Sequence, residues 1–358
     1  MRKLVVVVMT FVFFFSLASN TSEDVYNYDF FGYSNLLQYN SVVPVTEIVS
    51  ADSESEAEEE PEPEINDRRA VLSFIGDCTL GENVGKHAFA DTYRKNGASW
   101  FFSGVVKELK KDDLSIANLE GALTERKKTS GSGPFFFRGD PVYTEILTEG
   151  SVELVNLSNN HTMNYGKAGY EDTQEALSMA GVDYFGNDDL LIRDVNGINI
   201  GFFGLKFTDN NQAITGCIKE LKKQGADFII ASFHDGEPGI RYTPTKNQIN
   251  AAQRSVDAGA DLVIMHHPHV LQEITTYKSV PIAYSIGNFC YGGHSAPKDK
   301  DTVILRVIIT EESPGSDSYN VKLKPLPATI SSSAAYNDFR PKLVKGSEAK
   351  RILKKMGM

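Results

Sequence analysis

Cysteine, tryptophan and net positive charge are all scarce in this chain, and the first and last of these shortages each exclude a class of protein. Cys78, Cys217 and Cys290 are the only cysteines among 358 residues, odd in number and far apart. No CxxC pair exists to hold a structural zinc, and no disulfide framework can form; at most one bridge is possible. Lysine and arginine number 36 against 47 aspartates and glutamates, a formal net charge of -11. The basic footprint of a nucleic-acid binder is missing, so no nucleic-acid partner is expected. What remains is ordinary globular composition, 41% hydrophobic and 23% charged.

The long apolar run is Leu4 to Ala18, behind Arg2 and Lys3. As a helix it would reach roughly 22 Å, short of the about 30 Å of a hydrocarbon core. Residues 1–20 therefore read as a cleaved signal peptide, with an N-terminal membrane anchor as the alternative. Either exports the remainder, to an extracellular or cell-surface location. Residues 21–67 lack sustained periodicity and end in the acidic run Ser53 to Glu64, as expected of a disordered stalk. Much of the acid lies there, so the folded part is closer to neutral. The folded domain is expected over 68–330, with a basic C-terminal tail at 331–358.

From Ala70 onward, short apolar runs alternate with amphipathic segments. Strands are expected at Ala70–Ile75, Leu114–Ala117, Val152–Leu157, Asp227–Phe233, Leu262–Met265 and Pro281–Ile286. Leu190–Val195 and Ile198–Phe203 flank Asn196-Gly197, a hairpin signal. Val303–Thr310 and Tyr319–Leu326 form a last strand pair. Helical spacing marks Trp100 to Lys111, Val142 to Leu147, Gly169 to Gly181, Ile214 to Gln224 and Thr245 to Asp257. Strand–helix alternation with near-continuous apolar runs predicts a layered α/β fold.

Histidine is rare, seven in all, yet three crowd into Met265-His266-His267-Pro268-His269. Imidazoles spaced as His267 and His269 are can close on one metal ion. Alone, such a cluster is equally a polar turn after a buried strand. Other strands end in the same way, however, in Asp77, in Asn118 or Glu120, in Asn160-His161 and in His234. Sites of open α/β sheets lie beyond the carboxyl ends of strands, so these endings predict one shared site. The donors are oxygen and imidazole without thiolate. They suit Mn, Fe, Zn or Mg, as one or two ions. His161 is placed to act as a general acid or to stabilise developing charge. Glu237 is a candidate for substrate contact or for support of the ligands, and equally for a surface carboxylate; Asn288 is a candidate for fixing a loop through its amide.

The stretches GDCTLG (76–81), NLEG (118–121), NNHTMNYG (159–166), DLVIMHHPHVLQ (261–272) and YSIGNF (284–289) resemble the CapA family. That family of capsule or poly-γ-glutamate synthesis proteins includes PgsA and is similar to calcineurin-like metallophosphoesterases. The resemblance implies a four-layer α/β/β/α sandwich with mixed sheets. It implies metal ligands at Asp77, Glu120, Asn160, His234, His267 and His269, and a catalytic His161. Asn118 is the other candidate in the second motif, and His266 matches a family histidine of unassigned role. Asn164 stands where the family pattern has aspartate. The implied function is work on an extracellular anionic polymer, in its synthesis, export or attachment, beside membrane-bound synthesis machinery. The alternatives are an independent metal-dependent phosphoesterase and a non-catalytic binding or assembly module on the same fold.

Overall fold

A computed structural model describes residues 68–206, 211–238 and 241–358. The expected signal or anchor and the acidic stalk lie outside the described residues. Among the described residues, no helix is long and apolar enough to cross a membrane.

Two sheets carry the fold. The larger has the order Lys342–Leu343, Tyr319–Thr329, Asp301–Glu311, Arg69–Thr79, Leu114–Leu119, Leu154–Asn156, Asp183–Phe185, and Asn288–Tyr291 also pairs with Arg69–Thr79. The smaller runs Ile274–Tyr277, Val280–Ala283, Leu262–His266, Phe228–His234, Ile198–Lys206, Leu191–Val195. Both mix parallel and antiparallel pairings.

Side-chain alternation along the strands sets the layers. Leu72, Phe74, Leu114 and Ile116 of the larger sheet join Ile200, Phe202, Ile230, Leu262 and Ile264 of the smaller one in a single core. Ile75, Ala117 and Val155 face the other way, onto Phe101, Ile146, Leu147 and Leu177 of the flanking helical segments. Phe203, Ile229, Ala231, Val263 and Met265 likewise face Ile214, Ile218, Leu221 and Ala251. Helices thus cover both outer faces, giving the α/β/β/α sandwich.

Local chemistry fixes the helix ends and turns. Thr245 caps Lys246–Ala258 in a capping box with Gln248, and Gly259 closes it in the left-handed region. Gly181 closes Gly166–Ala180 in the same way. Asn196 and Gly197 both take positive φ, 55° and 82°, which a two-residue turn of this hand requires.

Two segments differ from their sequence expectation. The helix expected over Trp100–Lys111 is two short turns, Ser99–Phe102 and Val106–Leu109. Between them the carbonyl of Pro341 passes so close that a Cβ on Gly104 would lie 2.3 Å from it. Residues 331–358 contain a helix, Gly346–Lys355, whose Ile352 sits fully buried in the inter-sheet core with Met356 just beyond its end. Glu348, Ala349, Lys350, Arg351 and Leu353 are strong helix formers, and Ala349 and Ile352, three apart, put one apolar face on the core.

Candidate metal centre

Parallel pairing brings the carboxyl ends of the strands together. Asp77 pairs in register with Asn118, and His234 with His266. On the far side of the first strand, Asp77 also pairs with Asn288. The approach there is tight: a Cβ on Gly76 would meet the Gly287 carbonyl oxygen at 2.0 Å.

The turn after the Leu262–His266 strand aims two imidazoles into this space. His267 and His269, either side of Pro268, take φ values of 96° and 58°. Non-glycine residues in that region carry backbone strain, which concentrates at functional sites. Asn288 holds His269 from two directions, with Oδ1 2.9 Å from Nδ1 and Nδ2 donating to the His269 carbonyl at 3.1 Å.

Asp77 lies at the floor of the cluster and is fully buried. Its carboxylate accepts from Asn118 Nδ2 at 2.7 Å and stands 3.2 Å from His269 Nδ1. His266 Nδ1 comes within 3.4 Å of it, without the alignment of a hydrogen bond. Glu120, also fully buried, faces three rings: His234 Nε2 at 3.5 Å, and His161 Nε2 and His269 Nε2 at 3.8 Å each. His234 Nε2 and His267 Nδ1 are 3.0 Å apart.

His161 is held by Asn164 and Phe137. Asn164 Oδ1 accepts the backbone N–H of Phe137 at 2.9 Å, so it is the oxygen that lies 2.9 Å from His161 Nδ1. An N–H on Nδ1 must therefore face that oxygen, and in the neutral ring Nε2 carries the lone pair, directed toward Glu120. The Phe137 ring packs on the imidazole, centroids 4.4 Å apart.

Burial and charge pull these groups in different directions. Burial pushes Asp77 upward, but the ring nitrogens of His266 and His269 hold it well below the usual carboxylate range. Burial raises Glu120, and the neighbouring Asp77 adds to this. Burial lowers His234 and His267 to about 3, with His234 adding to the effect on His267. Burial also lowers His161. His269 goes the other way, to about 9, because Glu120 and Asp77 together outweigh its burial.

Both oxygens of Glu120 and Oδ1 of Asn160 are buried without a hydrogen-bond partner. Acceptors left so cost about 1–3 kcal/mol each, more when charged. Glu120, His267 and His269 each offer a donor atom, all within 4.8 Å of one another. Carboxylate, amide oxygen and imidazole gathered around orphaned acceptors fit a divalent cation.

Of the residues singled out in the sequence, Asp77, Asn118, Glu120, Asn160, His161, His234, His266, His267, His269 and Asn288 gather here. Glu237 does not. It is exposed and pairs with Arg241 at 2.8 Å. Sequence reasoning missed Asn156, Phe137 and the hold of Asn164 on His161. A polar residue inside the buried run Leu154–Leu157 was the available signal for Asn156.

From His161, His267 and His269 a cavity of about 1440 Å³ extends past Phe135, Tyr242 and Tyr291 to Lys298, Lys342 and the Gly346–Lys355 helix.

The fold and this cluster define a two-sheet α/β sandwich with a carboxylate- and histidine-rich centre at its strand ends. The chain belongs to the bacterial capsule synthesis protein PGA_cap family, whose model matches residues 71–292. It is 27% identical over 325 residues to the capsule biosynthesis protein CapA of Bacillus anthracis, covering 78% of this chain and 75% of that one. It is 28% identical to the PGA biosynthesis protein CapA of Bacillus subtilis, over 61% of this chain and 62% of that one. Among solved structures it resembles the calcineurin-like phosphoesterase YfkN of Bacillus subtilis, with a TM-score of 0.45 and 16% identity. That likeness covers 76% of this chain and 95% of the other.

Proposed function

We propose that this chain is an exported, cell-surface member of the family that acts on an extracellular anionic polymer through a divalent-metal centre. The observation that carries the reading is the Glu120 carboxylate, buried among imidazoles with neither oxygen hydrogen-bonded. Glu120, His267 and His269 would hold one ion, and Asp77 and Asn160 complete the donor set for the same ion or a second, with the His234 ring packed against His267 beside it. When bound, such an ion supplies Lewis acidity to a phosphoryl or carbonyl oxygen. His161, kept neutral by burial, presents a lone pair at Nε2 and would take up a proton there.

The cavity supports an extended substrate, since small-ligand pockets hold about 300–1,000 Å³. Its walls carry Lys298, Lys300, Lys342, Arg351 and Lys355 against Asp299, Asp301 and Glu348. That excess of basic groups, in a chain acidic overall, favours an anionic polymer. The names of the Bacillus relatives point to capsule or PGA biosynthesis, and poly-γ-glutamate is the polymer we assign. Membrane-bound synthesis machinery is the corresponding partner.

Hydrolysis of a chromogenic phosphodiester by the purified protein with added Mn²⁺ or Zn²⁺ tests the chemistry. The rate should vanish in His267→Ala, and absence of turnover with every divalent metal would exclude a phosphoesterase. One observation favours a second reading, a binding and assembly module without catalysis. Asn164 supplies a neutral partner to His161 where the family pattern has a carboxylate. That reading predicts metal and polymer binding without turnover.

A further inference from the structure

A chain of side-chain amides runs from the backbone of Ser158 to the floor of the cluster. Ser158 N–H donates to Asn156 Oδ1 at 3.0 Å. Asn156 Nδ2 donates to Asn118 Oδ1 at 3.1 Å. Asn118 Nδ2 then faces both Asp77 Oδ1 at 2.7 Å and His234 Nδ1 at 3.2 Å. An amide side chain is nearly symmetric in shape, and either end could face either way. Here the direction is fixed at one end, because a backbone N–H can only donate. Each later group inherits that polarity.

We infer that Asn156 is a positioning residue that locks the Asn118 amide with its NH₂ group toward the metal centre. Two consequences follow. Asn118 presents hydrogens rather than a lone pair, so Glu120 is the ligand offered by the NLEG stretch. His234 accepts at Nδ1, so the neutral ring carries its proton on Nε2, next to His267 Nδ1.

The surroundings of Asn156 are shaped to hold it. It is buried, and it lies in the larger sheet. Ideal Cβ atoms on Gly186 and Gly204 would stand 2.5 Å and 2.3 Å from its Oδ1. Gly204 belongs to the Ile198–Lys206 strand of the smaller sheet, with no positive φ to require a glycine. Closeness to the amide is what excludes a side chain there. The amide is thus gripped between the two sheets.

The role in the metal-free protein stands without the metal-centre reading; the effect on metal affinity rests on it. The test is ¹⁵N-histidine NMR of the full chain in EDTA near neutral pH, followed by Mn²⁺ titration by calorimetry, on wild type and Asn156→Leu. Wild type should show His234 protonated at Nε2 and bare at Nδ1. In Asn156→Leu the two tautomers should mix, and Mn²⁺ affinity should fall about 10–100-fold, as for loss of a group that orients ligands. A wild-type His234 protonated at Nδ1 would overturn the inference. So would an Asn156→Leu protein unchanged in both tautomer and affinity. Should Asn156→Leu fail to fold, the wild-type tautomer decides alone. Wild type that binds no Mn²⁺ refutes the metal reading, and the tautomer still decides this one.

Discussion

Asn288 grips His269 at both ends, its Oδ1 2.9 Å from the ring Nδ1 and its Nδ2 donating to the His269 carbonyl. Because Nδ2 must donate to the carbonyl, Oδ1 is the atom facing the ring, and Nδ1 must carry a proton. Nε2 of the neutral ring is then free to bind a cation. Asn288→Ala removes that hold together with support for a left-handed backbone position. Mn²⁺ affinity should fall about 10–100-fold, measured by calorimetry. Unchanged affinity would mean that Asn288 only ties the loop.

The metal-free protein should be most stable near neutral pH. His234 and His267 have folded values of about 3, below the about 6.5 of an unfolded histidine. Their stability is full above about 6.5 and is lost as pH falls toward 3, because the unfolded chain binds more protons there. His269, raised to about 9, contributes fully below about 6.5 and loses that as pH rises toward 9. The raised Glu120 and Asp112 oppose the histidines on the acid side, while the lowered His161 and Asp77 act with them. Urea midpoints in EDTA should therefore decline on both sides of neutrality. A monotonic course from about pH 5 to 9 would contradict this assignment of charges.

Ile352→Ala should cost about 2–5 kcal/mol, the penalty for emptying a buried aliphatic site, although it lies in the basic segment after residue 330. Ile352 is fully buried within the inter-sheet core. Urea unfolding checks the value. A loss under about 0.5 kcal/mol, the scale of a surface substitution, would make the last helix an appendage.

Much of the centre was legible because its strands are short apolar runs that stop at a ligand-type residue. Asp77, His234 and the Met265–His269 stretch declared themselves in this way. Of the readings open for Glu237, the surface carboxylate is the one that holds. The chain turns away at Gly236, which takes a φ of 128°, and carries Glu237 to the surface. Asn156 stayed hidden. Its partners Asn118, Gly186 and Gly204 are distant in sequence, and only sheet packing brings them together. The broken helix at Gly104 is of the same kind, set by the Pro341 backbone rather than by local spacing.

The most direct test of the central claim is the metal content of the purified full-length protein. Wild type, Glu120→Gln and His267→Ala would be exchanged into metal-free buffer, loaded with Mn²⁺ or Zn²⁺, desalted and analysed by plasma mass spectrometry. The account predicts at least one tightly held ion per chain in wild type, and its loss in both variants with the fold intact by circular dichroism. Wild type holding less than one ion per chain, or variants holding as much as wild type, would contradict it.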